Sequence, residues 1–147
     1  MDKSISAWFT QSTPNPTSTN RSTQIGCHFE EVSEMVESLT GTSHLASLRL
    51  KEVREALHNL AELCKTDPGA VVVMDKDRLD FADSLCDQVV TAIGSGVFYK
   101  IDMLGAVNEV NDSNWSKFVN GQPVRDPSTQ KIMKGPDYFK PDLSKFV

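Results

Sequence analysis

The chain has 147 residues, of which 39% are hydrophobic and 24% charged, with a formal net charge of −5. That length suits one hydrophobic core and leaves no room for a separate cofactor-binding half, and the composition excludes the polar, charge-rich class of disordered chains. The acidic balance argues against a broad surface for duplex nucleic acid, although a small anion can still be captured through a metal.

In chain order, Ile5, Trp8 and Phe9 predict a short amphipathic helix, closed by a loop over Thr13 to Arg21 that is rich in Pro and small polar residues. Ile25, Phe29, Val32, Val36 and Leu39 then recur at helical spacing, which predicts a helix from about Thr23 to Leu39, stopped by Thr40-Gly41. Leu45, Leu48, Leu50, Val53, Leu57, Leu60 and Leu63 predict another, ending before Asp67-Pro68-Gly69. The apolar run Val71 to Val73 reads as a buried connector. A long helix is expected from Asp77, as N-cap, through Phe81, Leu85, Val89, Ile93 and Val97, and a further one from about Met103 to Phe118. Gly94-Ser95-Gly96 follows no strand, so it reads as a place of close helix packing and not as a phosphate-cradling loop.

Beyond Phe118 the residues Gly121, Pro123, Pro127, Gly135, Pro136 and Pro141 make a long helix improbable, leaving an ordered or a flexible arm. Strand signals are too few for a sheet, and the expected class is all-α, a helical bundle forming a single domain over 1–147, with an N-terminal helix and loop at 1–22 and a C-terminal arm at 119–147. Cys27, Cys64 and Cys86 are odd in number and widely spaced, which fits a reducing cytoplasm better than a disulfide scaffold. No stretch approaches the roughly 20 apolar residues of a membrane span, so a soluble, cytoplasmic chain without membrane partners is expected.

The acidic residues carry the chemistry. On the helix from Thr23, Glu30, Glu31 and Glu34 spread over an arc of about 100°, beside the apolar stripe. On the helix from Asp77, Asp80, Asp83 and Asp87 fall within about 60°, opposite Leu85, Val89 and Ile93. Single acids on helix surfaces are ordinarily just solvated. Here Glu30 with Glu34, and Asp83 with Asp87, are like-charge pairs that each cost roughly 0.2–0.5 kcal/mol, whereas Lys51 with Glu55 shows the favourable alternative at the same spacing. Asp80 is less diagnostic, because a first-turn acid is favoured by the helix dipole in any protein. Hard oxygen donors without Cys or His pairs select Mg2+ or Mn2+, and such an ion suits phosphoanhydride hydrolysis.

Cys27-His28 reads as packing and not as a ligand pair, since adjacent helical residues point about 100° apart. His44 and His58 read as surface residues, and Trp8 and Trp115 as core or subunit interface, with stacking on a nucleobase as the alternative.

Glu30-Glu31-Val32-Ser33-Glu34, followed by Asp80-Phe81-Ala82-Asp83, resembles the two-part signature of MazG-like, all-α nucleoside triphosphate pyrophosphohydrolases. Asn111-Asp112-Ser113-Asn114-Trp115-Ser116-Lys117, Lys134-Gly135-Pro136 and Phe139-Lys140-Pro141-Asp142-Leu143 resemble the C-terminal part of its phage and bacterial members. The resemblance covers roughly residues 25–145. It implies hydrolysis of a nucleotide to its monophosphate and pyrophosphate by helical protomers completed by oligomerisation, as homodimers or homotetramers. It further implies that Glu31, Glu34, Asp80 and Asp83 ligate metal, with Asp80 standing where most members have Glu. Glu30, Glu31 and Glu34 would be catalytic, Glu30 by helping to bind a further ion or by orienting the attacking water. Asn111, Asn114, Lys117, Lys134 and Lys140 would lie near the nucleotide, and Asp87 behind the ligands. The phage-like tail points within the family to dGTP; dUTP or dCTP is the alternative there. Composition alone also permits a different class, a non-catalytic helical module whose acidic face binds a basic partner.

Overall fold

The structure, a computed structural model, describes residues 3–127 and 132–147. The described residues are mostly helical, in keeping with the all-α class: α1 (Ile5–Ser12), α2 (Ser18–Glu37), α3 (His44–Thr66), α4 (Arg78–Phe98) and α5 (Met103–Trp115), with strands β1 (Phe118–Val119) and β2 (Gln122–Pro123) after them. The chain divides by contact into two compact units, Asn15–Arg78 and a second made of Met1–Pro14 with Leu79–Val147.

The first unit is the α2–α3 hairpin. α2 starts at Ser18, five residues before the expected Thr23, because Thr17 and Asn20 form a reciprocal capping box. The Asn20 N–H donates to Thr17 Oγ1 at 3.2 Å and the Thr17 N–H donates to Asn20 Oδ1 at 2.9 Å, satisfying donors that a helix end otherwise leaves orphaned. α3 is capped by Ser43, whose Oγ accepts from the Ala46 N–H at 3.1 Å. It ends at Thr66, where the Asp67-Pro68-Gly69 signal placed its end.

Small residues set how closely the two helices approach. A Cβ on Gly26 would lie 2.7 Å from the Ala61 carbonyl oxygen and 3.1 Å from Cys64 Cβ, so only glycine fits. Around it Ala61 and Cys64 are buried, the Ser22 hydroxyl donates to the Cys64 carbonyl at 2.7 Å, and the Ser33 hydroxyl donates to the Arg54 carbonyl at 3.2 Å. These are serines closing a small-residue seam, each hydroxyl paired as burial requires.

Past α3 the expected buried connector is corrected. Val71 is half-buried and Val72 and Val73 are exposed, in an irregular stretch. A short apolar run does not by itself distinguish a buried segment from one left open within a single chain.

In the second unit the N-terminal helix is tied to the C-terminal residues. The Trp8 indole N–H donates to the Asn114 carbonyl at 3.0 Å, the Trp115 indole N–H to the Lys3 carbonyl at 2.8 Å, and the Gln11 amide to the Gly121 carbonyl. Phe118 lies between the two indoles, with ring centroids 5.8 Å from Trp8 and 5.1 Å from Trp115. Trp115 and Phe118 are buried and Trp8 is half-buried against Phe118, so both rings pack within this unit.

α5 ends at Trp115, short of the expected Phe118, because Phe118 is taken into a hairpin. β1 and β2 pair antiparallel around Asn120-Gly121, whose φ angles of 51° and 76° give the turn that matches strand twist. An Asn-Gly pair is a strong hairpin signal, which Gly121 counted only as a helix breaker leaves out. An isolated bridge between Arg125 and Ile132 continues the pairing. The last residues fold back onto α5: the Asp102 N–H donates to the Phe146 carbonyl at 2.9 Å, the Asp142 N–H to Glu109 Oε1 at 3.1 Å, and Lys145 pairs with Glu109 at 3.1 Å. The described part of the arm is therefore ordered.

α4 begins at Arg78 after a 3-10 turn over Asp75–Asp77. At its far end Gly96 is buried and a Cβ there would clash with the Met103 side chain, whereas a Cβ on Gly94 would meet nothing within 4 Å, so the close packing expected of Gly94-Ser95-Gly96 holds at Gly96 and not at Gly94. Between those ends every residue from Asp75 to Ala92 is exposed, including Phe81 at 38%, Leu85 at 37% and Val89 at 60%. No single helix among the described residues is long and apolar enough to cross a membrane.

Candidate functional site

The acids of α2 border an open hollow on the α2–α3 hairpin. Its volume is about 600 Å3, and it is lined by Glu30, Ser33, Glu34 and Glu37 of α2 and by Arg54, Glu55, His58 and Asn59 of α3. Glu30 and Glu34 reach it together because they stand one helical turn apart, four residues on one face. Glu31 is rotated about 100° from Glu30 and is exposed beside it.

Two cations neutralise part of this wall. Arg54 pairs with Glu37 at 2.8 Å, and Lys65 pairs with Glu30 Oε2 at 2.8 Å and with Glu62 Oε1 at 3.4 Å. The Glu30 carboxylate beside it holds the Lys65 ammonium above the ordinary lysine range, against the opposing effect of partial burial. Lys65, Arg54, His58 and Asn59 were not singled out as site residues from sequence. The available signal was their spacing on α3, where Arg54, Glu55, His58 and Asn59 repeat at helical intervals opposite the apolar stripe.

Asp80, Asp83 and Asp87 are exposed on α4, in the other unit. Among the described residues no group of three or more His, Cys, Asp or Glu side chains is arranged to hold a metal ion. The donor chemistry of Glu31, Glu34, Asp80 and Asp83, all exposed carboxylates, fits a hard divalent cation; a complete set is not gathered within either unit.

The expected nucleotide-binding residues have local partners. Asn111 donates its amide to the Lys3 carbonyl at 2.7 Å. Asn114 accepts Trp8 on its carbonyl and Lys117 Nζ on its side chain, the latter at 2.7 Å. Lys134 stands 4.8 Å from the Tyr138 ring centroid, a cation–π arrangement, and Lys140 is exposed. Asn111, Asn114 and Lys117 thus hold the N-terminal segment and the end of α5, roles that a resemblance of short motifs does not reveal.

No protein-family model matches the chain, and no curated protein or solved structure is significantly similar to it.

Proposed function

We propose that the chain is a metal-dependent, MazG-like nucleoside triphosphate pyrophosphohydrolase that releases the monophosphate and pyrophosphate, with dGTP as the first substrate to test. The observation that carries this reading is the hollow in which Glu30 and Glu34 stand side by side with Glu37 and Glu55. Four carboxylates on one open concave surface, against two cations, leave it net negative, a surface that recruits a divalent ion before it admits a polyphosphate. Glu31 and Glu34, with Asp80 and Asp83, are the residues that would hold Mg2+ or Mn2+, and the ion would offset phosphate charge and acidify a bound water. Glu30 is the candidate to orient the attacking water, and Asp87 supports the ligands from behind.

The same reading makes the protein a homodimer or homotetramer. α4 offers Phe81, Leu85 and Val89 at four-residue intervals, all exposed in the single chain, and such an apolar stripe on a helix is normally covered. A second copy is the occupant this reading assigns to it.

The test is Mg2+-dependent release of pyrophosphate from a panel of deoxynucleoside triphosphates by the full chain and by Glu34→Gln. Activity on one or more nucleotides that is lost in the variant and on chelation is the expected result. If both proteins are equally inert on every nucleotide, the second reading takes its place, an interaction module that uses the exposed acidic and apolar rows of α4.

A further inference from the structure

α4 carries an exposed line of residues with the pattern of a helix–helix seam. Ala82, Leu85, Val89, Ala92 and Gly96 follow one another at alternating intervals of three and four, the spacing that keeps one line of a helix turned to a partner. Leu85 is 37% and Val89 60% exposed, and Ala82 and Ala92 are exposed with them, whereas Gly96 is buried against Met103 of the same chain. The open part of the seam therefore runs from Ala82 to Ala92, small at both ends and large between. Its midpoint is level with Asp87. A two-fold axis at that level sets Ala82 against Ala92 and Leu85 against Val89 of a second, antiparallel α4, with Phe81 level with Ile93. The open seam then covers itself and leaves no residue over, the self-complementarity that an isologous interface requires.

Charge selects the antiparallel sense. Asp80, Asp83 and Asp87 stand on the first half of α4, turned about 120° or more from Val89, while Gln88 to Tyr99 hold no charged residue and Lys100 follows. A parallel pair would bring the two acidic halves together. An antiparallel pair sets each acidic half beside an uncharged one that ends in a cation, and it opposes the two helix dipoles. The hairpin of a second copy complements α4 less well. Its α2 carries Glu30, Glu31 and Glu34, and the α3 cations Arg49, Lys51, Arg54 and Lys65 are each already paired with a glutamate.

We propose that α4 is an interface between two copies of this chain, packed antiparallel on α4 of the second copy about a two-fold axis level with Asp87. The inference rests on the assignment of a second copy to α4 made above and deepens it by fixing the partner helix, its direction and its register. It requires neither nucleotide nor metal.

The test uses the full chain. Wild type is expected to sediment as an oligomer, and Val89→Lys, which puts a charge at the centre of the seam, is expected to halve the mass. Asp87→Lys, at the same level but on the far side of the helix, is expected to keep the wild-type mass. Direction is read from distances between nitroxide labels on the two copies, in a Cys27→Ser background in which Cys64 is fully buried and Cys86 exposed. Labels on Cys86, one residue from the axis, lie about 3 Å apart along the helices, from the rise of 1.5 Å per residue. Labels on Ser95→Cys, with Cys86→Ser, lie about 24 Å apart along them by the same rise. The measured separation is therefore expected to be longer at residue 95 than at residue 86 by at least about 15 Å.

The proposal is overturned by wild type that sediments as a monomer, by an oligomer that survives Val89→Lys, or by one that is lost in Asp87→Lys. It is equally overturned by label separations that differ by less than about 15 Å, as parallel helices would give. Circular dichroism melts identify any variant that has lost its fold, and Leu85→Lys then replaces Val89→Lys in the comparison. Nucleotide hydrolysis measured alongside separates the two levels. An antiparallel oligomer that hydrolyses nothing ends the enzyme reading alone. Hydrolysis by a monomer, or by an oligomer joined elsewhere, ends this inference alone, and a monomer that hydrolyses nothing ends both.

Discussion

Gly26 shows how one residue governs the hairpin that carries the acidic hollow. Alanine there brings a Cβ to 2.7 Å from the Ala61 carbonyl oxygen, so the helices must separate. Overpacking of this kind costs about 1–3 kcal/mol, against about 1 kcal/mol regained from alanine's better helix propensity. Gly26→Ala is therefore expected to lower stability in chemical denaturation, and a variant as stable as wild type would show that the seam is looser than described. Ser22→Ala, one turn away, should cost about 1 kcal/mol by leaving the buried Cys64 carbonyl without its hydroxyl donor. Neither consequence was legible in the sequence. The 3.6-residue period marks Ile25, Phe29, Val32 and Val36, of which Val36 is buried and the others half-buried, yet the closest contact runs through Ser22, Gly26 and Ser33, whose burial depends on which helix lies opposite. Glu30 and Glu34 were legible as a like-charge pair, whereas the ion pair from Lys65 was not, because its partner lies 35 positions away in the chain.

Elements were legible where a periodic pattern met a stop signal. α3 ends where Asp67-Pro68-Gly69 predicts, while α2 begins early through a Thr17–Asn20 box that a search for Glu or Gln at the third helical position passes over. The segment after α5 was the least legible, since its order comes from distant partners. Asp142 accepts from the Ser144 hydroxyl and N–H, which holds its carboxyl below the ordinary range. Glu109 is held below its own range by the Asp142 N–H and then by Lys145. A carboxylate lowered in the folded state contributes stability that is fully present above its unfolded value and is lost as pH falls through the folded one. The contact of Phe146 with Gly105 should therefore be unchanged from pH 7 to pH 5 and weaken below about pH 4. Nuclear Overhauser effects between the Phe146 ring and Gly105 report it directly, and persistence well below that pH would show that apolar packing alone holds the arm.

At the scale of the whole molecule, the unresolved demand is α4. From Arg78 to Ala92, about four turns, it exposes every residue, apolar ones included, and a helix of this composition is normally stabilised by what covers it. If a second copy does so, Leu85→Lys should shift the chain to monomer in light scattering and reduce hydrolysis with it; an unchanged oligomer would place the interface elsewhere. The all-α class was readable from composition and periodicity, but the division into two units was not, because it depends on which helices find partners within the chain and which do not.

The reading of the whole protein rests on the carboxylates assigned to the ion, Glu31, Glu34, Asp80 and Asp83, acting through it on a nucleoside triphosphate. The most direct test compares Mg2+-dependent pyrophosphate release by wild type and Glu34→Gln on dGTP and the other deoxynucleotides. The account predicts turnover of at least one nucleotide, abolished by chelation and reduced on the order of a hundredfold in the variant, about 2.7 kcal/mol of transition-state stabilisation. Turnover that survives both chelation and the substitution, or none in the wild type, would contradict it.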